Sequence, residues 1–337
     1  MKRVFRTAGI TLLVIAVLLV GAITLTVGWR PFLGPRARPL TSRTYEKTPQ
    51  RLERGRYLAT SLLGCMDCHS LRDWAQHDAP IVNGMMGAGD IFPAKGLPGR
   101  VVAPNLTPDP EAGVGTWTDD QLARAIREGI GRDGRALFPL MPYPNYRRLS
   151  DEDLASVIVF LRSLAPVYHP LLKTEIVFPV KYLIRSVPQP LTEPAPPPDL
   201  SSPEKRGEFL ATVGGCGDCH TPQRKGEPIP GLELAGGEVF EGPWGRAATA
   251  NLTPDLSGIS YYDERFFVHV MRTGFVQARE LSPIMPWWSY RNLTDDDLKS
   301  IFAYLRTLKP VKHRVDNLAP PTLCKICGNM HGLGNQN

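Results

Sequence analysis

The six cysteines of this chain all fall in C-x-x-C pairs: Cys65/Cys68, Cys216/Cys219 and Cys324/Cys327. Two pairs are followed at once by histidine, in Cys65-Met66-Asp67-Cys68-His69 and Cys216-Gly217-Asp218-Cys219-His220. On a helical turn, residues i and i+3 share a face, so two thiols can bond one porphyrin edge while the residue after them brings an imidazole under the iron. That is the chemistry of covalent c-type haem attachment. A thioredoxin-like redox pair would sit in a βαβ context that the flanking sequence lacks, and a zinc ribbon needs no histidine after each pair. Two motifs in similar settings therefore predict two haem c groups. Gly328 follows the third pair, so the adjacent ligand is missing. A disulfide formed in an oxidising compartment, or a metal site with His331, are both open readings of it, and no role is assigned.

An iron held by one histidine needs a sixth ligand or stays open, a choice that separates electron carrier from catalyst. Pro139-Leu140-Met141-Pro142-Tyr143 recurs 144 residues later as Pro283-Ile284-Met285-Pro286-Trp287. Prolines on both sides forbid regular helix and leave each methionine in an extended loop, where its thioether can reach iron. A methionine between prolines otherwise serves as core filler. The recurrence assigns His69 with Met141, and His220 with Met285, as axial pairs. Such coordination saturates the iron and raises its potential, and two matched methionines leave no vacancy for the rival reading, a dihaem peroxidase or thiosulfate dehydrogenase. Tyr146-Arg147 and Tyr290-Arg291 also recur. They are candidates for haem-propionate contacts, with solvated loop arginines as the alternative. His77, His169, His269, His313 and His331 are read as surface or packing residues, and Asn105 and Asn251 as turn formers.

These groups lie on an internal duplication. Arg54-Gly55-Arg56-Tyr57-Leu58-Ala59-Thr60 matches Arg206-Gly207-Glu208-Phe209-Leu210-Ala211-Thr212, the segment Asn105-Leu106-Thr107-Pro108-Asp109 returns unchanged from Asn251 to Asp255, and Leu149 to Leu154 matches Leu293 to Leu298. Thr48-Pro49 and Ser202-Pro203 read as cap and first residue of the helices leading into each haem motif. Thr118 to Gln121 resembles a capping box, with Ser260 to Asp263 in the equivalent place, and Ser150 and Thr294 cap two final helices with apolar stripes at helical period. No alternating run predicts a strand, so the expected fold is all-α: two tandem domains, 48–167 and 203–315, the first carrying extra chain within 71–100. Residues 168–202 are proline-rich and read as a stiff spacer, or as a tract wrapped on the first domain in which 176–178 packs. A tail, 316–337, ends the chain.

The net charge of +6 is uneven: residues 1–56 hold eleven Lys/Arg against two acids. Basicity at one end suits a membrane-proximal segment better than a nucleic-acid footprint, which needs a patch on the folded body. Residues 9–29 carry no charge and are long enough to cross a hydrocarbon core of about 30 Å, after a short basic stretch, 1–8, and before a juxtamembrane linker, 30–47. A cleaved signal peptide is the alternative, although its apolar region usually runs only about 7–15 residues.

Over about residues 50–315 the chain resembles the membrane-anchored dihaem c-type cytochromes, including the cytochrome subunits of periplasmic alcohol and gluconate dehydrogenases. The likeness rests on the two C-x-x-C-H motifs, the two NLTPD segments, the Pro-x-Met-Pro loops and the L-x-D-x-D-L helices. Those subunits commonly carry three haems, whereas this chain has two complete motifs. The resemblance implies a cytochrome c-like fold in each half and haems on the periplasmic side of the cytoplasmic membrane, with the N-terminus inside. It also implies electron relay from a dehydrogenase or quinol-oxidising complex to a terminal oxidase or soluble cytochrome.

Overall fold

In the computed structural model, which describes residues 2–317 and 319–332, the expected caps start the expected helices. The Thr48 hydroxyl accepts from Arg51 N at 3.2 Å to open helix Pro49–Tyr57, and Ser202 accepts from Lys205 N at 3.3 Å to open Pro203–Val213. Ser150 and Thr294 cap Asp151–Arg162 and Asp295–Thr307 in the same way. Between them lie Asp119–Glu128, opened by the Thr118/Gln121 capping box, and Glu264–Thr273. The cap of the latter is Asp263, the last residue of the expected tetrad, accepting from Phe266 N at 2.7 Å.

Within each half the first helix crosses the last at a glycine. A Cβ on Gly55 would lie 1.9 Å from the Ser156 carbonyl oxygen, and one on Gly207 1.8 Å from that of Ser300. Salt bridges Arg54–Asp153 (2.8 Å) and Arg206–Asp297 (2.5 Å) flank the two crossings. Backbone carbonyls cannot swing away as a side-chain tip can, so Gly207→Ala is expected to cost about 3 kcal/mol, the upper end for overpacking. A thermal melt of the haem-loaded protein against wild type measures it; an unchanged midpoint would mean that the helices are not in contact there.

Most buried apolar side chains form one continuous cluster through both halves, from Leu58, Leu62, Met66 and Leu154 to Leu210, Leu293, Leu298 and Leu305, and Leu232, Ala235 and Cys327 form a second, small one. Short helix Trp287–Tyr290 packs on the π-helical turn Leu58–Leu62, and Tyr143–Tyr146 packs on Pro203–Val213, so each half offers the other the same element. Tyr57, whose counterpart is Phe209, adds a one-sided tie: its hydroxyl donates to Asp297 and accepts from Thr294 N.

Four expectations change. The fold is not purely helical: six two-stranded antiparallel ladders occur among the described residues, none with strands longer than four. Strands of two residues are too short to alternate visibly, and most are closed by turns rich in Gly and Pro. The tract 168–202 is not a bare spacer, because Glu175–Ile176 pairs with Gly99–Arg100, and helix Val180–Leu183 and its continuation pack on Arg30–Leu33, where Arg185 donates to the Pro31 carbonyl at 2.9 Å. The linker 30–47 is docked too: Arg38, almost fully buried, pairs with Asp120 at 2.7 Å and Glu128 at 2.8 Å, and the Tyr45 N–H donates to Asp119. Part of the basic excess thus neutralises acids on the first half, because Arg51 and Arg54 likewise meet Glu152 and Asp153. Finally, the N-terminal helix runs Lys2–Leu25 and ends before Trp29, the chain leaving through Gly28 at φ +69°. Its stretch Phe5–Leu25, with mean hydropathy 2.7 and no buried residue, is long and apolar enough to cross a membrane. Of the expected end segments, Met1, Leu318 and 333–337 lie outside the described residues.

Candidate functional site

Each cysteine motif begins after a left-handed glycine, Gly64 at φ +59° and Gly215 at φ +73°, a conformation that lets the chain turn sharply from the preceding helix into a new helical turn. That turn runs Cys65–Cys68 with His69 as its C-cap in the first half, and Cys216–His220 in the second. All four cysteines are free, and burial pushes each thiol up to about 12. A working redox pair needs a thiol whose acidity is raised, and burial acts in the opposite direction on these four.

Both histidines are buried, and burial holds their imidazoles below the ordinary range. His69 Nδ1 lies 2.7 Å from the Pro104 carbonyl oxygen and His220 Nδ1 2.7 Å from that of Ala250. A carbonyl can only accept, so Nδ1 carries the proton and Nε2 presents its lone pair, the arrangement an iron ligand requires. Those carbonyls immediately precede Asn105 and Asn251, which shape the expected turns. The Asn105 amide oxygen accepts from Thr107 N at 2.8 Å and its nitrogen donates to Val167 O at 2.7 Å, while Asn251 repeats both bonds to Thr253 and Val311.

The methionine loops superimpose in their bonding. Met141 N donates to Phe138 O and Tyr143 N to Met141 O; Met285 N donates to Ser282 O and Trp287 N to Met285 O. Pro142 and Pro286 share the same unusual backbone angles, ψ 46° and 45°. Each loop is propped by an aromatic ring lying over a left-handed glycine that ends the middle helix: Tyr143 on Gly129 and Trp287 on Gly274, where a Cβ would come within 2.5 Å of the ring. Both methionines are half-buried and pack against the core. The donor set in each half, two thiols, one oriented imidazole and one thioether, fits haem c.

The four propionate candidates have other partners. The buried Tyr146 hydroxyl donates to the Leu63 carbonyl and that of Tyr290 to Gly214, so the phenols brace the chain just ahead of each motif, as a buried hydroxyl must find an acceptor. Arg147 donates to the Gln189 and Pro190 carbonyls of the wrapped tract, and Arg291 reaches Asp78 at 3.6 Å.

Two features escaped the sequence reading. The second spacer residue of each motif is an aspartate that docks on the opposite half: Asp67 accepts from the Ser289 hydroxyl at 2.7 Å, and Asp218 from the Asn145 amide at 2.8 Å. Ser289 and Asn145 are themselves 144 residues apart, so the contact is a pseudo-two-fold pair that brings the two motifs together. Burial raises the Asp67 carboxyl to about 7, opposed by the nearby Arg72 guanidinium and the Ser289 hydroxyl, and burial raises Asp218 in the same direction. The shared aspartate was the available signal. The other is His313, which stands 144 residues after His169 at the repeat's own offset: His169 Nδ1 faces Ala88 O at 3.1 Å and His313 Nδ1 faces Ala235 O at 2.9 Å.

With this geometry in hand, the class is plain: residues 52–165 match the family described as cytochrome c and are a cytochrome c domain, the kind that carries haem c bound covalently. The chain is similar to the cytochrome c subunit of the quinone-dependent alcohol dehydrogenase of Gluconobacter oxydans strain 621H, at 30% identity over 77% of this chain and 55% of the relative. It is similar to the cytochrome c subunit of gluconate 2-dehydrogenase of Pantoea cypripedii, at 30% over 76% and 59%. It also resembles a diheme cytochrome c-type protein of Cereibacter sphaeroides, at 29% over 74% of this chain and 83% of the relative. The chain therefore spans little more than half the length of the two dehydrogenase subunits.

Proposed function

We propose that this chain is a membrane-anchored dihaem cytochrome c that relays single electrons. A dehydrogenase or quinol-oxidising complex feeds it, and it passes electrons to a terminal oxidase or a soluble cytochrome. One haem is joined to Cys65 and Cys68 with His69 and Met141 as axial ligands, the other to Cys216 and Cys219 with His220 and Met285. The observation that carries this reading is the exact repetition, in both halves, of an imidazole fixed by a carbonyl at Nδ1 and a methionine in an identical proline-bounded turn. An iron with both axial positions filled can change its charge without binding a substrate, and the thioether favours its ferrous form. The pairing of Asp67 with Ser289 and Asp218 with Asn145 supports a short passage between the haems. Helix Lys2–Leu25 serves as the anchor, with the haem-bearing halves on the periplasmic side, and the redox partners dock at exposed haem edges in small, transient contacts.

Spectroelectrochemical titration of the purified full chain tests it. Two one-electron, high-potential centres with methionine-type spectra are expected, neither binding carbon monoxide when reduced. A low-potential or carbon monoxide-binding centre would overturn the relay in favour of a dihaem enzyme.

A further inference from the structure

The third cysteine pair, left without a role by the haem chemistry, meets two histidines in space. His313 Nε2 lies 3.3 Å from Cys324 Sγ and His331 Nε2 3.3 Å from Cys327 Sγ, and the four atoms all fall within 4.8 Å of one another. His313, Cys327 and His331 are buried and Cys324 half-buried. We propose that His313, Cys324, Cys327 and His331 form a closed, structural zinc site.

The orientation of each group argues for a metal. Both imidazoles spend Nδ1–H on a backbone carbonyl, His313 on Ala235 at 2.9 Å and His331 on Arg314 at 3.2 Å, so both Nε2 lone pairs face the sulfurs. Each sulfur accepts a backbone N–H two residues on, from Ile326 to Cys324 and from Asn329 to Cys327, both at 3.4 Å. The turn between the cysteines is closed by Gly328 N donating to Cys324 O at 3.0 Å, with Gly328 at φ +82°. Gly237 makes room above the rings, because a Cβ there would lie 2.7 Å from both imidazoles. A tetrahedral zinc with bonds of about 2.3 Å to sulfur and about 2.0–2.1 Å to nitrogen sets sulfur and nitrogen roughly 3.5 Å apart, close to the 3.3 Å found here. Two thiolates and two imidazoles are a zinc donor set, and four protein ligands leave no position for catalysis. A disulfide would use the sulfurs and leave both Nε2 atoms aimed at nothing.

Binding displaces one proton from each thiol and changes no oxidation state. Zinc would then pin the chain from Lys309 to Gly332 onto the 232–237 loop, whose Gly236 N–H donates to the carbonyl of His220 at 2.7 Å. The first half has the matching His169 but no cysteines to go with it, since the chain's other four belong to the haem motifs.

The full chain, haem-loaded and purified from membranes in detergent with neither reductant nor chelator, should contain about one zinc per chain. Its zinc X-ray absorption should fit two sulfurs and two nitrogens. Cys324→Ser and His331→Gln should each lose at least about nine-tenths of that zinc, with covalent haem staining retained as the check on folding, and His169→Ala should lose none. The wild-type absorption spectrum decides even if a variant fails to fold. Wild-type protein without zinc, a mass two hydrogens short that maps to a Cys324–Cys327 disulfide, or zinc retained by both variants would overturn the site.

Discussion

Replacing Cys216 and Cys219 together by alanine is expected to halve the covalently bound haem, from about two per chain to about one, leaving that one on the peptide containing Cys65 and Cys68. Thioether bonds are the only links that survive denaturation, so haem counted on the unfolded chain, by mass and by absorbance in alkaline pyridine, reports each motif separately. The two motifs sit on separate glycine-led turns, with separate histidine carbonyl partners at Pro104 and Ala250, which is why loss of one need not unload the other. The second half should suffer most. His220 is buried and Leu234, Ile259 and Phe267 belong to the common core, so a haem missing from this half is expected to cost apolar contact there. A reduced-minus-oxidised spectrum should keep the signature of the first centre at half the original amplitude. Two haems remaining per chain, or none, would remove the second motif from the proposal, and the paired variant Cys324→Ala/Cys327→Ala should leave the count at two.

Much of this was readable in the residues because it depends on local chemistry. A threonine or serine before a proline starts a helix wherever it stands, two cysteines three apart share a face, and prolines around Met141 and Met285 keep them out of helix. The remainder depends on what segments meet after folding. Nothing local in Glu175-Ile176 indicates that it pairs with Gly99-Arg100, and a two-residue strand has no period to detect. Arg38 looks like any juxtamembrane arginine until Asp120 and Glu128, some 80 to 90 residues later, close on it. Asp67 and Asp218 are ordinary spacer residues until the halves pack through Ser289 and Asn145. The His313 cluster joins residues from three separate stretches of chain, and only the fold brings Ala235, Arg314 and the Cys324 turn around it. Alternation and capping concern neighbours in sequence; docking of one stretch on another does not, and it is docking that sets the distance between the two motifs.

Met141→Leu and Met285→Leu are each expected to lower the midpoint of one centre by on the order of 0.1 V, a modest part of the roughly 0.8 V over which axial ligands set haem potentials. Leucine conserves volume closely, and such swaps in a core usually cost less than about 1.5 kcal/mol, so the loop should survive. Its geometry rests on groups that the substitution leaves alone: the Tyr143 N–H and Trp287 N–H bonds, the prolines, and the ring of Tyr143 or Trp287 seated on Gly129 or Gly274. What disappears is the sulfur, and with it the preference for ferrous iron. The iron so exposed should bind carbon monoxide when reduced, in one centre per single variant and both in the double. The untouched centre should keep its potential and spectrum within error, because its own imidazole and thioether belong to the other half. Potentiometric titration of the two single variants beside wild type therefore assigns each measured midpoint to a named half. If neither midpoint moves and neither variant takes up carbon monoxide, the methionines are packing residues and the irons have some other sixth ligand.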